Sequence, residues 1–272
     1  DDIKVVELGY NNQRHPLTTE NFGDEAFLFL ENLKNKNGRG LIIVGDDKTK
    51  AAKFAHAKFK PEVIIIDDGF QHRKLARDLD IVILDGNEGR YMIPGGKLRE
   101  PLKNKIRADV VVINEKFRET KILQNFGHQT AVICNYVLEN FVNINNDDAS
   151  LSGKKIVAFC GIGDPDSFIK MMANNGINSA KLIIFKDHHN YSLGDLTKII
   201  SAFENEKAGA LLTTQKDFVR LKNSEFVMET KSDNLYKQLL YNYPLYYAKI
   251  KMQITRNHEA LFSHLDKVAN LV

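Results

Sequence analysis

The residues that most suggest chemistry are two adjacent aspartates, Asp67 and Asp68, which follow an apolar run at residues 63–66 and precede Gly69. A short β-branched run of this kind is typical of a strand buried in a parallel sheet. Open α/β sheets bind ligands at the carboxyl ends of such strands, which in nucleotide-binding proteins is the Walker B position. Mg²⁺ usually takes one or two carboxylates together with substrate phosphates. The pair therefore predicts a magnesium site, although a turn or a helix cap also uses aspartate in this place.

Two other short segments could supply acid–base groups. Asp24 and Glu25 follow Gly23 at the start of a helical pattern, and on the sequence alone an ordinary helix start explains them best. His188 follows Asp187 after a strand-like run. A histidine beside an aspartate at a strand end suits acid–base work.

Three glycine-containing motifs bear on phosphate binding, and the third of them is not found in this sequence. The loop at residues 92–101 contains glycine, proline, Lys97 and Arg99, and it could approach phosphates or simply connect two elements. Gly161 and Gly163 lack the third glycine of a dinucleotide fingerprint. No Gly-x-x-x-x-Gly-Lys-Ser/Thr segment occurs, so the leading strand and phosphate loop of such a domain are expected before Asp1.

Short apolar runs separated by helical patterns predict the scaffold that positions these residues. The runs are at residues 41–44, 63–66, 81–84 and 110–113, and helical patterns cover 24–35 and 48–58. Their alternation indicates a doubly wound α/β domain with a parallel sheet flanked by helices. A second unit begins near Ser152, with strand patterns at 156–159, 181–185 and 210–213 and helical patterns between them.

Two stretches of alternating polar and apolar residues, 135–144 and 246–254, predict a two-stranded ribbon between the domains. The predicted first domain covers residues 1–138, and residues 255–272 return to it as a helix. A smaller α/β domain covers residues 152–245. Residues 139–151 and 246–254 are the linker strands.

Bulk properties exclude several classes of function. The net charge of +3 and pI near 8.6 are too mild to argue for nucleic-acid binding. No apolar run reaches the roughly 18 residues that a membrane-spanning helix needs. Cys134 and Cys160 lie in separate apolar runs, which predicts buried free thiols.

Residues 67–78, which read DDGFQHRKLARD, resemble the signature of the tetraacyldisaccharide 4'-kinase family, the lipid A 4'-kinases. Further matches follow in the family's order, and together they extend over about residues 9–221. They are GDE at 23–25, PGGKLRE at 94–100, GIG at 161–163 with Pro165, DH at 187–188 and TQKD at 214–217.

The resemblance implies a P-loop-kinase-like sheet and transfer of the γ-phosphate of ATP to the 4'-hydroxyl of tetraacyldisaccharide 1-phosphate. It also implies that Asp67 and Asp68 serve Mg²⁺, and that Asp24 and His188, from different domains, form the catalytic pair. The implied substrate- and phosphate-binding residues are Glu25, Lys48, Gln71, His72 and Arg99. The implied partners are ATP, the lipid A disaccharide precursor and the cytoplasmic face of the bacterial inner membrane, to which the chain would bind peripherally.

The sequence departs from the family pattern at several places. The family's N-terminal hydrophobic anchor and phosphate loop are missing, and Lys48 and Gln215 stand where the family usually carries arginine and glutamate. Lysine supplies charge but not the bidentate fork of arginine. Turnover by this chain alone is therefore not expected. Two alternatives stay open: a fragment or split subunit completed by another chain, and a relic that binds lipid but not ATP.

Overall fold

The computed structural model describes residues 3–7, 18–34, 40–84, 91–96, 98–117, 131–228 and 234–270. The chain divides into two compact units, each built from two separate segments. The first unit comprises Asp1–Asp46 and Leu138–Ile250, and the second comprises Asp47–Val137 and Lys251–Val272.

Strands and helices alternate along most of the described chain. The strands are β1 (Lys4–Glu7), β2 (Leu41–Val44), β3 (Ile81–Leu84), β4 (Val110–Asn114), β5 (Val132–Val142), β6 (Asp148–Ala149), β7 (Ile156–Cys160), β8 (Ser179–Ile184), β9 (Ala210–Thr214) and β10 (Leu245–Arg256). The helices are α1 (Thr19–Phe22), α2 (Asp24–Lys34), α3 (Lys48–Phe59), α4 (Pro165–Asn174), α5 (Leu193–Asn205), α6 (Gln215–Lys222), α7 (Glu225–Met228), α8 (Leu235–Tyr241) and α9 (His258–Ala269), with a 3₁₀ helix at Leu102–Arg107.

A parallel sheet forms the core of the first unit. β7 pairs with β8 and β9, and β9 pairs with β10, all in parallel. β7 is buried along its whole length because its five residues are apolar and both faces are covered. Phe159 of this strand shares a core cluster with Leu196 of α5 and Leu239 of α8. The strands predicted near 156–159, 181–185 and 210–213 are confirmed.

The first 46 residues belong to this unit, whereas the sequence pattern groups them with the segment that follows. Burial explains the difference, since Phe27 and Leu30 of α2 share an apolar cluster with Val219 of α6. Ile42 and Val44 of β2 pack against the same cluster. The prediction that residues 41–44 join a parallel sheet is wrong, because β2 pairs antiparallel with β1.

In the second unit β4 pairs in parallel with β3 and β5. Every residue of β4 is buried, as predicted. Ala260 and Leu261 of α9 pack against a cluster that includes Val110 and Val112, so the predicted C-terminal helix is confirmed. The prediction of burial on both faces is wrong for β3, where the side chain of Ile83 is 60% exposed.

The prediction of a buried strand at residues 63–66 is wrong. These residues adopt no regular structure, and the side chains of Val63 and Ile65 are 57% and 91% exposed. A strand needs a neighbour for its backbone N–H and C=O groups, and no strand of the described residues pairs with this run. A β-branched apolar run suits a sheet but does not supply the partner.

β5 and β10 are neighbours in the sheet order, which confirms that the two alternating stretches pair. The two strands run in opposite directions. Lys249 forms an ion pair with Glu139, and further along β10 Thr255 donates a hydrogen bond to the carbonyl of Ile133, which lies earlier in β5. Their role as a linker between domains stays a prediction. No described helix is long and apolar enough to cross a membrane.

Both cysteines are free and buried, as predicted. Burial, assisted by the nearby Asp217 carboxylate, raises the pKa of Cys160 to about 12. Its thiol therefore stays protonated at neutral pH and is unsuited to nucleophilic attack.

Candidate active site

Asp24 stands at the first position of α2, in the first unit. Gly23, with a φ of 80°, separates α1 from α2 and adopts a backbone conformation that favours glycine. The Asp24 side chain is only 10% exposed. The turn thus directs a carboxylate into the protein at a helix N-terminus, where negative charge is favoured.

Arg220 of α6 holds one oxygen of that carboxylate. Its Nε donates to Asp24 Oδ2 at 2.7 Å, and its Nη2 lies 2.5 Å from the same oxygen. Lys216, one turn earlier on α6, places its Nζ 3.7 Å from Oδ2 and 3.4 Å from Glu25 Oε1. The hydrogen bonds and ion pairs that Asp24 makes with the described residues all go to Oδ2, and none of them goes to Oδ1.

The other side of the Arg220 guanidinium is anchored in the core. Nη1 donates to the Gly161 carbonyl at 2.6 Å and to Asp217 Oδ1 at 3.0 Å. Asp217 is fully buried, and its Oδ2 accepts from the Gly161 N–H at 3.0 Å and from Thr214 Oγ1 at 2.6 Å. A buried charge needs such complete pairing. The Arg220 side chain is therefore held in one orientation by these buried acceptors.

Two opposing effects set the charge of Asp24. Burial raises the pKa of the carboxyl group, but the charges of Arg220 and Lys216 and the hydrogen bond from Arg220 outweigh that effect and hold the pKa below its ordinary value. Asp24 is therefore ionised throughout the neutral range.

His188 reaches the same cluster from the loop after β8. Its Nδ1 lies 3.3 Å from Arg220 Nη2 and 3.5 Å from Asp24 Oδ2. The residue has a φ of 52°, a conformation that costs energy for a non-glycine residue and is common at functional sites. His189 turns away, since its Nε2 lies 3.0 Å from Asp195 Oδ2 and its ring stacks on Phe185.

Gly161 and Gly163 allow this loop to approach β7. A Cβ atom on Gly161 would come within 3.1 Å of the Lys186 carbonyl oxygen and 3.2 Å of Asp217 Oδ1. One on Gly163 would come within 2.8 Å of Asp187 Oδ2. In this chain the Gly-x-Gly pattern is explained by close approach of the histidine loop.

The second unit carries the paired aspartates. Asp67 and Asp68 are exposed, and Asp68 has a φ of 50°. Lys48, the first residue of α3, donates to the Asp67 carbonyl at 2.6 Å, while Arg99 Nη1 lies 3.4 Å from Asp68 Oδ2. No hydrogen bond or ion pair joins the Asp67 carboxylate to another described residue. These exposed oxygens are hard donors, which suits a cation that also binds substrate phosphates.

Arg77 fixes the loop that carries these aspartates. Its Nη1 donates to the carbonyls of Gly69 and His72, at 3.0 and 2.9 Å, and its Nε lies 2.8 Å from Asp80 Oδ1. The side chains of Gln71 and His72 are exposed. Their backbone is thereby held in a compact turn, with the side chains directed to solvent.

The predicted site residues thus fall into two groups. Asp24, Glu25 and His188 lie in the first unit, and Asp24 meets His188 directly, although the sequence assigns them to different domains. The second unit holds the remaining six, which are Lys48, Asp67, Asp68, Gln71, His72 and Arg99. Within the described residues, no group of three or more His, Cys, Asp or Glu side chains is arranged to hold a metal ion.

Arg220 is the residue that sequence reasoning missed. An arginine on a short helix is ordinarily a solvated side chain, yet this one is 6% exposed. A signal was available: Asp217 and Arg220 are spaced i, i+3 among the apolar residues Phe218, Val219 and Leu221, directly after a buried strand. A helix that is apolar on several sides is buried, and charges within it must pair.

Comparison with known proteins identifies the family to which this chain belongs. The family model Tetraacyldisaccharide-1-P 4'-kinase matches residues 4–270. A tetraacyldisaccharide 4'-kinase from Bdellovibrio bacteriovorus is 35% identical over 224 residues, which cover 76% of this chain and 64% of that protein. One from Halothermothrix orenii is 32% identical over 291 residues, covering 93% of this chain and 72% of that protein.

A crystal structure of the "apo" form of LpxK from Aquifex aeolicus in complex with ATP matches with a TM-score of 0.71 and 27% sequence identity. The match covers 98% of this chain and 74% of that one, and it confirms the predicted α/β fold class. The chain thus spans about two-thirds to three-quarters of the length of these relatives.

Proposed function

Because this chain belongs to the Tetraacyldisaccharide-1-P 4'-kinase family, we propose that it serves the transfer of the γ-phosphate of ATP to the 4'-hydroxyl of tetraacyldisaccharide 1-phosphate. The observation that carries the proposal is the buried Asp24 carboxylate, which has cations at one oxygen and no hydrogen bond from a described residue at the other. Phosphoryl transfer needs a group that orients an attacking hydroxyl and accepts its proton.

The orientation and the charge of the Asp24 carboxylate suit the role of orienting the attacking hydroxyl. Its Oδ1 would accept the hydrogen of the sugar 4'-hydroxyl, while Arg220 keeps the carboxylate fixed through Oδ2. The lowered pKa of Asp24 makes it a weak base. That is tolerable, because catalysis of phosphoryl transfer depends mainly on positioning and on electrostatic stabilisation.

Cations around this carboxylate suit a phosphorylated acceptor. Lys216 is 23% exposed beside Asp24 and Glu25, and its charge is available to a phosphate group as well as to the carboxylates. His188, 58% exposed, would interact with the acceptor sugar next to Asp24. Glu25, on the same helix turn, would contact the sugar hydroxyls.

The second unit would handle the nucleotide phosphates. The exposed carboxylates of Asp67 and Asp68 fit Mg²⁺, which would neutralise charge on the transferred phosphoryl group. Lys48 and Arg99 supply positive charge beside the same loop, and Gln71 and His72 offer exposed polar side chains. Since the acceptor is a lipid and ATP is cytoplasmic, we place the reaction at the cytoplasmic face of the inner membrane, with the chain bound peripherally.

The test is phosphate transfer from labelled ATP to tetraacyldisaccharide 1-phosphate, measured on the full-length protein. We expect Asp24→Asn to lower kcat by about 10²–10⁴-fold, because the amide cannot accept the proton. Asp166→Asn is the matched control, since it removes an exposed carboxylate from α4 in the same unit. Full activity of Asp24→Asn would overturn the proposal, as would a wild-type protein that binds the lipid but does not phosphorylate it.

A further inference from the structure

Arg220 has more contacts than a clamp on Asp24 requires. Its three guanidinium nitrogens reach Asp24 Oδ2, the Gly161 carbonyl, Asp217 Oδ1 and His188 Nδ1. Arginine presents five N–H donors in a rigid plane, so its orientation is fixed by these acceptors together. The contact with His188 is the one that carries a further consequence.

An arginine side chain only donates, because it has no acceptor atom and is not deprotonated in proteins. The 3.3 Å contact of Nη2 with His188 Nδ1 is therefore a hydrogen bond only when Nδ1 carries a lone pair. A neutral imidazole with that lone pair carries its proton on Nε2. A proton on Nδ1 would instead point at a guanidinium hydrogen.

The nearby Asp24 carboxylate does not change the conclusion that His188 carries its proton on Nε2. Asp24 Oδ2 lies 3.5 Å from His188 Nδ1, but Arg220 Nε and Nη2 lie 2.7 and 2.5 Å from the same oxygen. The closer donors satisfy Oδ2, and both acceptors, Oδ2 and Nδ1, then lie beside Arg220 Nη2. The other charged groups at this carboxylate are Lys216, which adds positive charge, and Glu25, whose side chain is directed to Lys216.

We infer that Arg220 is a positioning residue, which aims Asp24 Oδ1 at the acceptor hydroxyl and holds His188 as the tautomer that presents Nε2–H to it. The inference rests on the proposed function for its catalytic meaning, whereas the tautomer is a property of the free protein. In this arrangement Asp24 accepts the hydroxyl hydrogen, and His188 donates a hydrogen bond to a sugar or phosphate oxygen. His188 is then not the base.

The first experiment uses the unmodified protein. Among the eight histidines, His188 is assigned in an ¹⁵N-histidine NMR spectrum by the signal that is missing from His188→Gln. We expect Nδ1 to show the shift of an unprotonated ring nitrogen, and Nε2 that of a protonated one, at a pH where the ring is neutral. A proton on Nδ1 in the wild-type protein would overturn the inference without any variant being needed.

The second experiment compares Arg220→Lys with Lys216→Met. Lysine keeps the charge but cannot reach all four acceptors, so we expect His188 to become a mixture of tautomers in Arg220→Lys. We also expect kcat to fall by on the order of 10²-fold with the KM for ATP unchanged, since a misplacement of about 1 Å costs that much. Lys216→Met removes a cation from the same oxygen but does not contact His188, and it should keep the wild-type tautomer.

A thermal unfolding curve shows whether Arg220→Lys is folded, and if it is not, the wild-type tautomer decides. Wild-type kcat in a folded Arg220→Lys protein contradicts the inference. A wild-type protein that lacks kinase activity contradicts the proposed function instead, and the tautomer measurement then remains an independent test of the role of Arg220.

Discussion

A single oxygen, Asp24 Oδ2, has three nitrogen atoms of cationic side chains around it: Arg220 Nε, Arg220 Nη2 and Lys216 Nζ. Such crowding lowers the basicity of the carboxylate but fixes its direction. For a reaction with a loose transition state, direction matters more than base strength. The same crowding explains why Arg220→Lys is expected to act through kcat, since the carboxylate would remain but would no longer be held in one orientation.

At Asp67 no hydrogen bond or ion pair joins the carboxylate to a described residue, since Lys48 donates to the backbone carbonyl instead. We expect Asp67→Asn to raise the Mg²⁺ concentration needed for half-maximal activity by on the order of 10–100-fold, as loss of even an outer-shell partner of a metal does. The measurement is a Mg²⁺ titration of initial rate at saturating ATP with the full-length protein.

Asp78→Asn is the control for that titration, since Asp78 is exposed and belongs to the same loop. An unchanged Mg²⁺ requirement in Asp67→Asn would remove this residue from the metal site. An equal change in both variants would point to the net charge of the loop rather than to a ligand.

At the scale of elements, the approach of the histidine loop to β7 depends on the absence of side chains at Gly161 and Gly163. The two glycines differ in what an added methyl group would meet. At Gly161 it meets a backbone carbonyl and the buried Asp217, which cannot move freely. At Gly163 it meets the end of the half-exposed Asp187 side chain, which can rotate away.

We therefore expect Gly161→Ala to destabilise the protein by about 1–3 kcal/mol, the usual cost of overpacking, and to displace His188. Gly163→Ala should cost less than about 1 kcal/mol and keep most of the activity. Urea unfolding curves and kcat of both variants give the comparison. A larger loss in Gly163→Ala than in Gly161→Ala contradicts the proposed contacts.

Local pattern predicts an element well where the element buries its own residues. The runs at 110–113 and 156–159 predict buried strands, and β4 and β7 are buried throughout. The run at 63–66 is equally apolar, yet it is exposed and irregular, because a strand also needs a paired neighbour that the run itself does not encode. Pairing of β2 with β1 rather than with a parallel strand is a non-local choice of the same kind.

The candidate site follows the same division. The aspartates at 67 and 68, with His188, stand out by local spacing and by the family signature. Asp24 in its own sequence context looks like a helix cap, and only the resemblance assigns it a catalytic role. Arg220 is not predicted, since its contacts to Asp24 and Gly161 join residues 196 and 59 positions apart along the chain.

At the scale of the whole molecule, the chain order of the site residues does not match their grouping in space. Asp24 precedes the paired aspartates in the sequence, but it shares a compact unit with His188 and Arg220, far later in the chain. The contact between Asp24 and His188 therefore needs no movement of one unit toward the other.

The buried charges of this unit also predict how the folded protein responds to acid. Burial raises the pKa of Asp24, but Arg220 and its neighbours lower it further, so the net pKa in the folded protein lies below the ordinary 3.8. A group of this kind stabilises the fold fully above its unfolded pKa, and the contribution is lost as pH falls through the folded value. The pKa of Asp195 is lowered as well, since hydrogen bonds from the Ser192 N–H and hydroxyl to its carboxylate outweigh the effect of burial. We expect the urea midpoint of the wild-type protein to be nearly constant above about pH 5 and to fall steeply below about pH 4.

Asp24→Asn should have a lower urea midpoint at neutral pH and a shallower fall of that midpoint with acid, whereas Asp166→Asn should keep the wild-type slope. An acid slope in Asp24→Asn as steep as in the wild type would mean that Arg220 does not hold this carboxylate ionised in the folded state.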